Sequence, residues 1–330
     1  MKIAGIVVGL AIASLLLCLG IIQVMLAIHH SAPVRVAETP DVQTSIQSVP
    51  VEDTAASVGN KVYALPSNIS DDNYSPEQWA LQKMLGLQTR SGGSEIMVAV
   101  LDTGIDRRHE DLAGKVTKNV NFSNSATAFD TIGHGTHIAG IIAANANNSI
   151  GIAGLAPNAR LLNVKVADDE GIVWASAVAK GIIWSVDKGA KIINLSLAIP
   201  TATPALEEAV NYAWSKGVVI IAAAGNTGTA VPTYPASFSN VIAVAATDIN
   251  DSLWEKSNRG DWVNAYAPGV EVFSTIPHNS YGYKSGTSIA TAYVTAAAAL
   301  MFDRMTDANG DGFVNDEVTA ALKAAFALPH

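Results

Sequence analysis

The chain has 330 residues, 49% hydrophobic and 15% charged, which is enough apolar material for one large core or two small ones. Its formal net charge of -9, with Lys and Arg scattered singly, argues against a nucleic-acid partner. The only cysteine, Cys18, excludes an intrachain disulfide, and leaves no cysteine metal cluster or thiol nucleophile in the rest of the chain.

Residues 3–28 carry no charge and follow Lys2. As a helix this run would reach roughly 39 Å, against a bilayer core of about 30 Å. A cleaved signal has a shorter apolar region and a clear small-x-small site, neither of which is clean here. Residues 1–30 are therefore expected to anchor the chain in a membrane, with a cleaved signal as the second reading. Both readings place the rest outside the cytoplasm, anchored or secreted. Residues 31–70, rich in Pro, Ser, Thr and Val without a lasting period, read as a linker or short pro-region. The folded domain is expected over 71–330.

EIMVAVLD, 95–102, is a continuous apolar run of the kind buried on both faces of a sheet. RLLNVKV, KIINLSL, GVVIIAAA and NVIAVAA repeat it. Between them WASAVAKGIIWSVDKG and ALEEAVNYAWSKG carry apolar residues at helical spacing. This alternation predicts right-handed crossovers and a three-layer α/β/α fold around a mostly parallel sheet. Chemistry then belongs beyond the carboxyl ends of the strands. Asp102 and Asn226 follow strands, whereas His134 and Ser288 open helices.

His134 and His137 lie three apart, but a zinc site needs a third protein ligand and no HExxH pattern is present. The alternative is acyl transfer. A serine hydroxyl needs a base, the base is best an imidazole, and the imidazole needs a carboxylate behind it. DTG, HGTH and GTS supply these groups, and the Asn226 amide can donate to the developing oxyanion. Asp106 is a weaker acid candidate, past the strand end.

AVLDTGID, GHGTHIAG, AAAGN and GTSIATAYV together resemble the subtilisin-type serine peptidases, most closely the thermitase-like branch, over roughly residues 71–325. The resemblance implies a serine endopeptidase with Asp102 as orienting acid, His134 as base and acid, Ser288 as nucleophile and Asn226 in the oxyanion hole. His137 matches a structural position. An extended polypeptide substrate would lie between Gly171, Ile172, Val173 and Ser196, Leu197, Ala198, with Ala223, Ala224 and Gly225 walling the first pocket. No acid stands there, so broad specificity with an apolar or aromatic preference is expected. Val173 and Ala198 stand where the family has Gly. Ile289 replaces the usual Met after the nucleophile and removes an oxidisable sulfur. Ala292 and Tyr293 replace the usual Pro and His.

The resemblance also implies structural calcium (Ca2+), held by Asp71, Asp111 and Asn148 with backbone oxygens of Asn145, Ile150 and Ile152. DANGDGFVNDEV, 307–318, suggests a second site through Asp307, Asn309, Asp311, Phe313 and Glu317, although Val318 stands where an EF-hand loop has its last acid. A monomer is expected.

Overall fold

A computed structural model describes residues 33–35, 72–85, 95–302 and 304–327. Seven strands form one sheet in the order β3-β4-β2-β6-β7-β8-β9, and every neighbouring pair is parallel. They are β2 (Met97–Asp102), β3 (Val116–Asn121), β4 (Arg160–Lys165), β6 (Ile192–Leu195), β7 (Val219–Ala223), β8 (Val241–Thr247) and β9 (Ala265–Pro268). The expected three-layer architecture is present.

Alternate residues of one strand show why the sheet is covered twice. Val98 and Val100 of β2 join the cluster that holds Ile138, Ile142 and Ala297, whereas Ala99 and Leu101 join the one with Val178, Ile182 and Val210. Side chains alternate across a strand, so each face of β2 meets its own helices. On the first face lie α2 (His134–Ala143) and α5 (Thr287–Phe302), on the second α3 (Ala175–Asp187) and α4 (Pro204–Ser215). The short α1 (Trp79–Met84) and the C-terminal α6 (Asn315–Ala325) pack into the first cluster. α5 is buried along almost its whole length, as an Ala-rich helix under a sheet must be.

Elements the apolar runs did not announce complete the domain. β3 is an edge strand whose middle residues are exposed, so no buried run marks it. β10 (Val272–Ile276) and β11 (Ser280–Lys284) form an antiparallel hairpin. Its turn uses His278 and Asn279 in the left-handed region (φ 68° and 53°), without the glycine that signals such a turn. β1 (Pro33–Arg35) pairs antiparallel with β5 (Ile172–Trp174), Val34 opposite Val173.

The expectation of a membrane-held chain, as a partner and as a location, is corrected here. Among the described residues no helix is long and apolar enough to cross a membrane. The run on which the anchor rested, within residues 1–30, lies outside the described residues.

Candidate active site

β2 ends at Asp102, and its carboxylate Oδ1 accepts hydrogen bonds from the Thr103 N–H (2.7 Å) and from His134 Nδ1 (2.7 Å). His134 opens α2 after Gly133, whose φ of +85° suits a residue without a side chain. The approach of α2 to β2 depends on Gly135. A Cβ there would lie 2.1 Å from Gly104 O and 3.0 Å from Asp102 Cβ, so any larger residue would push the imidazole off the carboxylate.

Burial opposes protonation of His134. The charge and hydrogen bond of Asp102 overcome it and hold the imidazole pKa above the ordinary histidine value, with Asp130 adding to the rise and Lys284 opposing it. Asp102 is buried, and its Oδ2 has no hydrogen-bond partner. His137 is fully buried; its Nε2 meets Val272 O (3.1 Å) and Gly282 O (3.2 Å). Burial, Lys284 and His134 push its pKa well down, so it serves as a neutral strut between α2 and the hairpin.

Ser288 lies in the first turn of α5, which packs against α2. The hydroxyl donates to Ser196 O (3.2 Å), and Ser196 Oγ donates back to Ser288 O (3.1 Å). The support continues inward: Asn194 Nδ2 donates to Ser196 Oγ (2.8 Å), and Thr295 Oγ1 donates to Asn194 Oδ1 (2.9 Å). Asn226 is fixed by Thr287, the residue before Ser288. Its Oδ1 accepts both the N–H and the hydroxyl of Thr287, each at 2.9 Å. That orientation turns Nδ2 towards Gly286, whose missing Cβ would stand 3.2 Å away.

The residues expected to hold substrate fall on two segments. Gly171 (φ +77°), Ile172 and Val173 belong to the turn and strand of β5, the edge that β1 occupies. Val173 is 2% exposed and packs in the second core cluster with Leu197 and Ile199. Gly225 (φ +101°) faces the other segment: a Cβ there would lie 3.5 Å from Ala198 Cβ and 2.7 Å from Asn258 Nδ2. Ala224 O accepts Asn258 Nδ2 (2.9 Å), so the Ala223–Gly225 wall is braced from behind.

Several supports had no motif of their own. Thr287 could have been suspected from its place in GTS. Asp130, four residues before His134, accepts five hydrogen bonds. Asp106, the weaker acid candidate, serves a turn, accepting from Arg108 N (3.0 Å) and His278 N (2.9 Å).

Of the first cation set, Asp71 lies outside the described residues. Its neighbour Asp72, not in that set, is buried and accepts Asn147 N and Asn148 N, both at 2.9 Å. Asp111 is fully buried and accepts Asn148 Nδ2 (2.9 Å), Ile152 N (2.7 Å) and the Tyr281 hydroxyl (3.1 Å). Burial raises the Asp111 pKa against those hydrogen bonds. Asn145 donates to Ala113 O (3.2 Å), and Ile150 N to Asn148 Oδ1 (3.1 Å). In the second set, Asp307 accepts Gly310 N (2.6 Å) and Gly312 N (2.8 Å), and Glu317 accepts Ala308 N (2.7 Å). Asn309 accepts Asp311 N (2.9 Å), Asp311 accepts Phe313 N (2.8 Å), and Phe313 covers Gly217. The loop thus closes on itself. Among the described residues no three His, Cys, Asp or Glu side chains group as a metal site.

The subtilase family profile matches residues 93–325. The chain is 48% identical over 229 residues to the thermophilic serine proteinase of Bacillus sp. (strain AK1), covering 69% of this chain and 57% of that protein. It is 46% identical over 235 residues to thermitase of Thermoactinomyces vulgaris, covering 70% of this chain and 84% of thermitase. With subtilisin Savinase of Lederbergia lenta it shares 45% identity over 210 residues, 63% of this chain and 77% of that protein. The match runs from the start of β2 through α6 and takes in every residue around Asp102, His134 and Ser288: the chain belongs to the subtilase family.

Proposed function

We infer that this chain is a serine endopeptidase of broad specificity, cutting extended polypeptides through an acyl-enzyme. The single observation that carries the reading is the 2.7 Å contact between Asp102 and His134; the helix that bears Ser288 packs against the one that His134 opens, and Asn226 is oriented by its bonds to Thr287. Asp102 fixes the imidazole with Nδ1–H towards the carboxylate and leaves Nε2 to act as base. Ser288 gives its proton to Nε2 and its oxygen attacks the peptide carbonyl. The Ser288 hydroxyl donates to Ser196 O in the structure, so the mechanism has it turn to Nε2 when substrate binds. The carbonyl oxygen, now negative, is met by Asn226 Nδ2 and the Ser288 N–H. His134 then passes its proton to the leaving amine, and water repeats the sequence to free the acyl group. The Ala223–Gly225 wall carries no charge, so the pocket selects apolar surface.

The residues around the loop 145–152 suit calcium. Two buried carboxylates and an amide share that loop, and a Cβ on Gly151 would fall 1.9 Å from Asp111 Oδ2, leaving space only a glycine leaves. Carboxylate, amide and main-chain oxygens match a hard cation. Asp72, Asp111 and Asn148 would hold it, and a bound ion supplies charge balance and ties the start of the domain to the end of α2.

A fluorophosphonate probe tests the peptidase reading. Phosphorus bonds to the Ser288 oxygen and fluoride leaves, so wild type is labelled and S288A is not. Casein digestion should follow the same pattern. Equal labelling of S288A, or an unlabelled wild type, would refute the assignment.

A further inference from the structure

Asp130 lies in the loop before α2, is 0% exposed, and bonds residues on both sides of the Asp102–His134 pair. Its Oδ1 accepts the Thr103 hydroxyl (2.8 Å), Ile132 N (3.1 Å) and Gly133 N (2.8 Å). Its Oδ2 accepts Thr136 N (2.8 Å) and the Thr136 hydroxyl (2.7 Å). The direction of these bonds is forced. Thr103 Oγ1 already accepts Gly135 N (3.0 Å), and Thr136 Oγ1 accepts Asp106 N (3.0 Å), so each hydroxyl turns its hydrogen to Asp130. Five donors meet two oxygens, a set that only an acceptor-only carboxylate satisfies.

We propose that Asp130 is a positioning residue for the reaction: it locks the strand end carrying Asp102 to the helix start carrying His134, and its charge supports the imidazolium formed as Ser288 loses its proton. The proposal rests on the peptidase reading. The lock is visible in the chain positions it touches, namely 103 directly, 135 through Thr103, and 132, 133 and 136 directly. The electrostatic part follows from where His134 sits. A cation at a helix N-terminus faces unpaired N–H groups and is disfavoured there. Asp130 accepts the N–H of Thr136 in that first turn and opposes this repulsion. The other charged or titratable groups around the site include Asp102 on β2, Asp106 in the following turn, Lys165 on β4, which donates to Thr103 O, Asp169, which pairs with Lys165 and accepts the Thr131 hydroxyl, Lys284 on β11 and His137 on α2 itself. Asp130 is thus the anion bound to both elements of the pair.

D130N and T103V separate lock from charge. Asn keeps the shape but removes the charge and turns an N–H2 towards Thr136 N, so both effects should show. The acid limb of kcat/KM should move down by about one pH unit, and kcat should fall about 10- to 100-fold. T103V keeps the charge and cuts the bridge between residues 130 and 135, so kcat should fall about tenfold with the acid limb unmoved. An acid limb in D130N equal to wild type, or a kcat in T103V within about twofold of wild type, overturns the role. Should D130N not fold, the T103V kcat alone decides. Turnover and probe labelling of wild type are the reference: an inert wild type refutes the peptidase reading, whereas an active wild type beside unmoved variants refutes only Asp130.

Discussion

Between burial and the neighbouring carboxylate, His134 is drawn in opposite directions, and the carboxylate prevails. The sign of the pH effect follows. In the proposed mechanism the neutral imidazole takes the serine proton, so activity should rise as pH climbs through the folded-state pKa. A raised pKa therefore places the acid limb above the value of about 6.5 for a free histidine. Asp102→Asn removes the chief cause of the rise and should draw the limb to lower pH while turnover falls about 10⁴-fold, as a wrong tautomer does elsewhere. A pH–rate profile of D102N with its limb at or above that of wild type would contradict this. Asp102, His134, Asn226 and Ser288 were legible as short motifs because each has a backbone-constraining glycine nearby in the chain. Gly135, for instance, is required for the close passage of α2 by Asp102. The supporting roles of Thr103, Asp130 and Thr287 stayed hidden because they bond side chains and N–H groups brought close by the fold, and no spacing along the chain records the Thr103–Asp130 and Thr287–Asn226 contacts.

Strands buried on both faces could be read directly, since β2, β4, β6, β7 and β8 are near-continuous apolar runs. β3 escaped because an edge strand needs no such run, and the β10–β11 hairpin because its turn is made by His278 and Asn279. That hairpin matters to its neighbours. Ser274 and Thr275 donate to the main-chain oxygens of His137 and Thr136 (2.9 and 2.7 Å), so β10 braces the helix that carries the base. On the opposite end of α2, the loop 145–152 holds the buried Asp72 and Asp111 through N–H groups. Calcium should therefore raise the melting temperature, by the equivalent of about 2.7 kcal/mol at one hundred times the Kd. D111N should lose most of that rise. A chelated wild type melting at the same temperature as the calcium-loaded protein would count against the site.

At the scale of the molecule, alternation of strand and helix was enough to give the layers, since parallel neighbours force a helix across one face or the other. What the pattern could not give was the fate of residues before the domain. Pro33–Arg35 lie against Ile172–Trp174, the edge on which an extended polypeptide is proposed to pair. If substrate pairs with that edge as proposed, it meets a berth already taken by the chain's own backbone. Being part of the same chain, that strand competes at a fixed local concentration, which no change in the chemistry at Ser288 can alter. Deleting residues 33–35 should lower KM for long peptides and leave kcat and small-ester turnover as they were. An unchanged KM would mean that the two strands never compete.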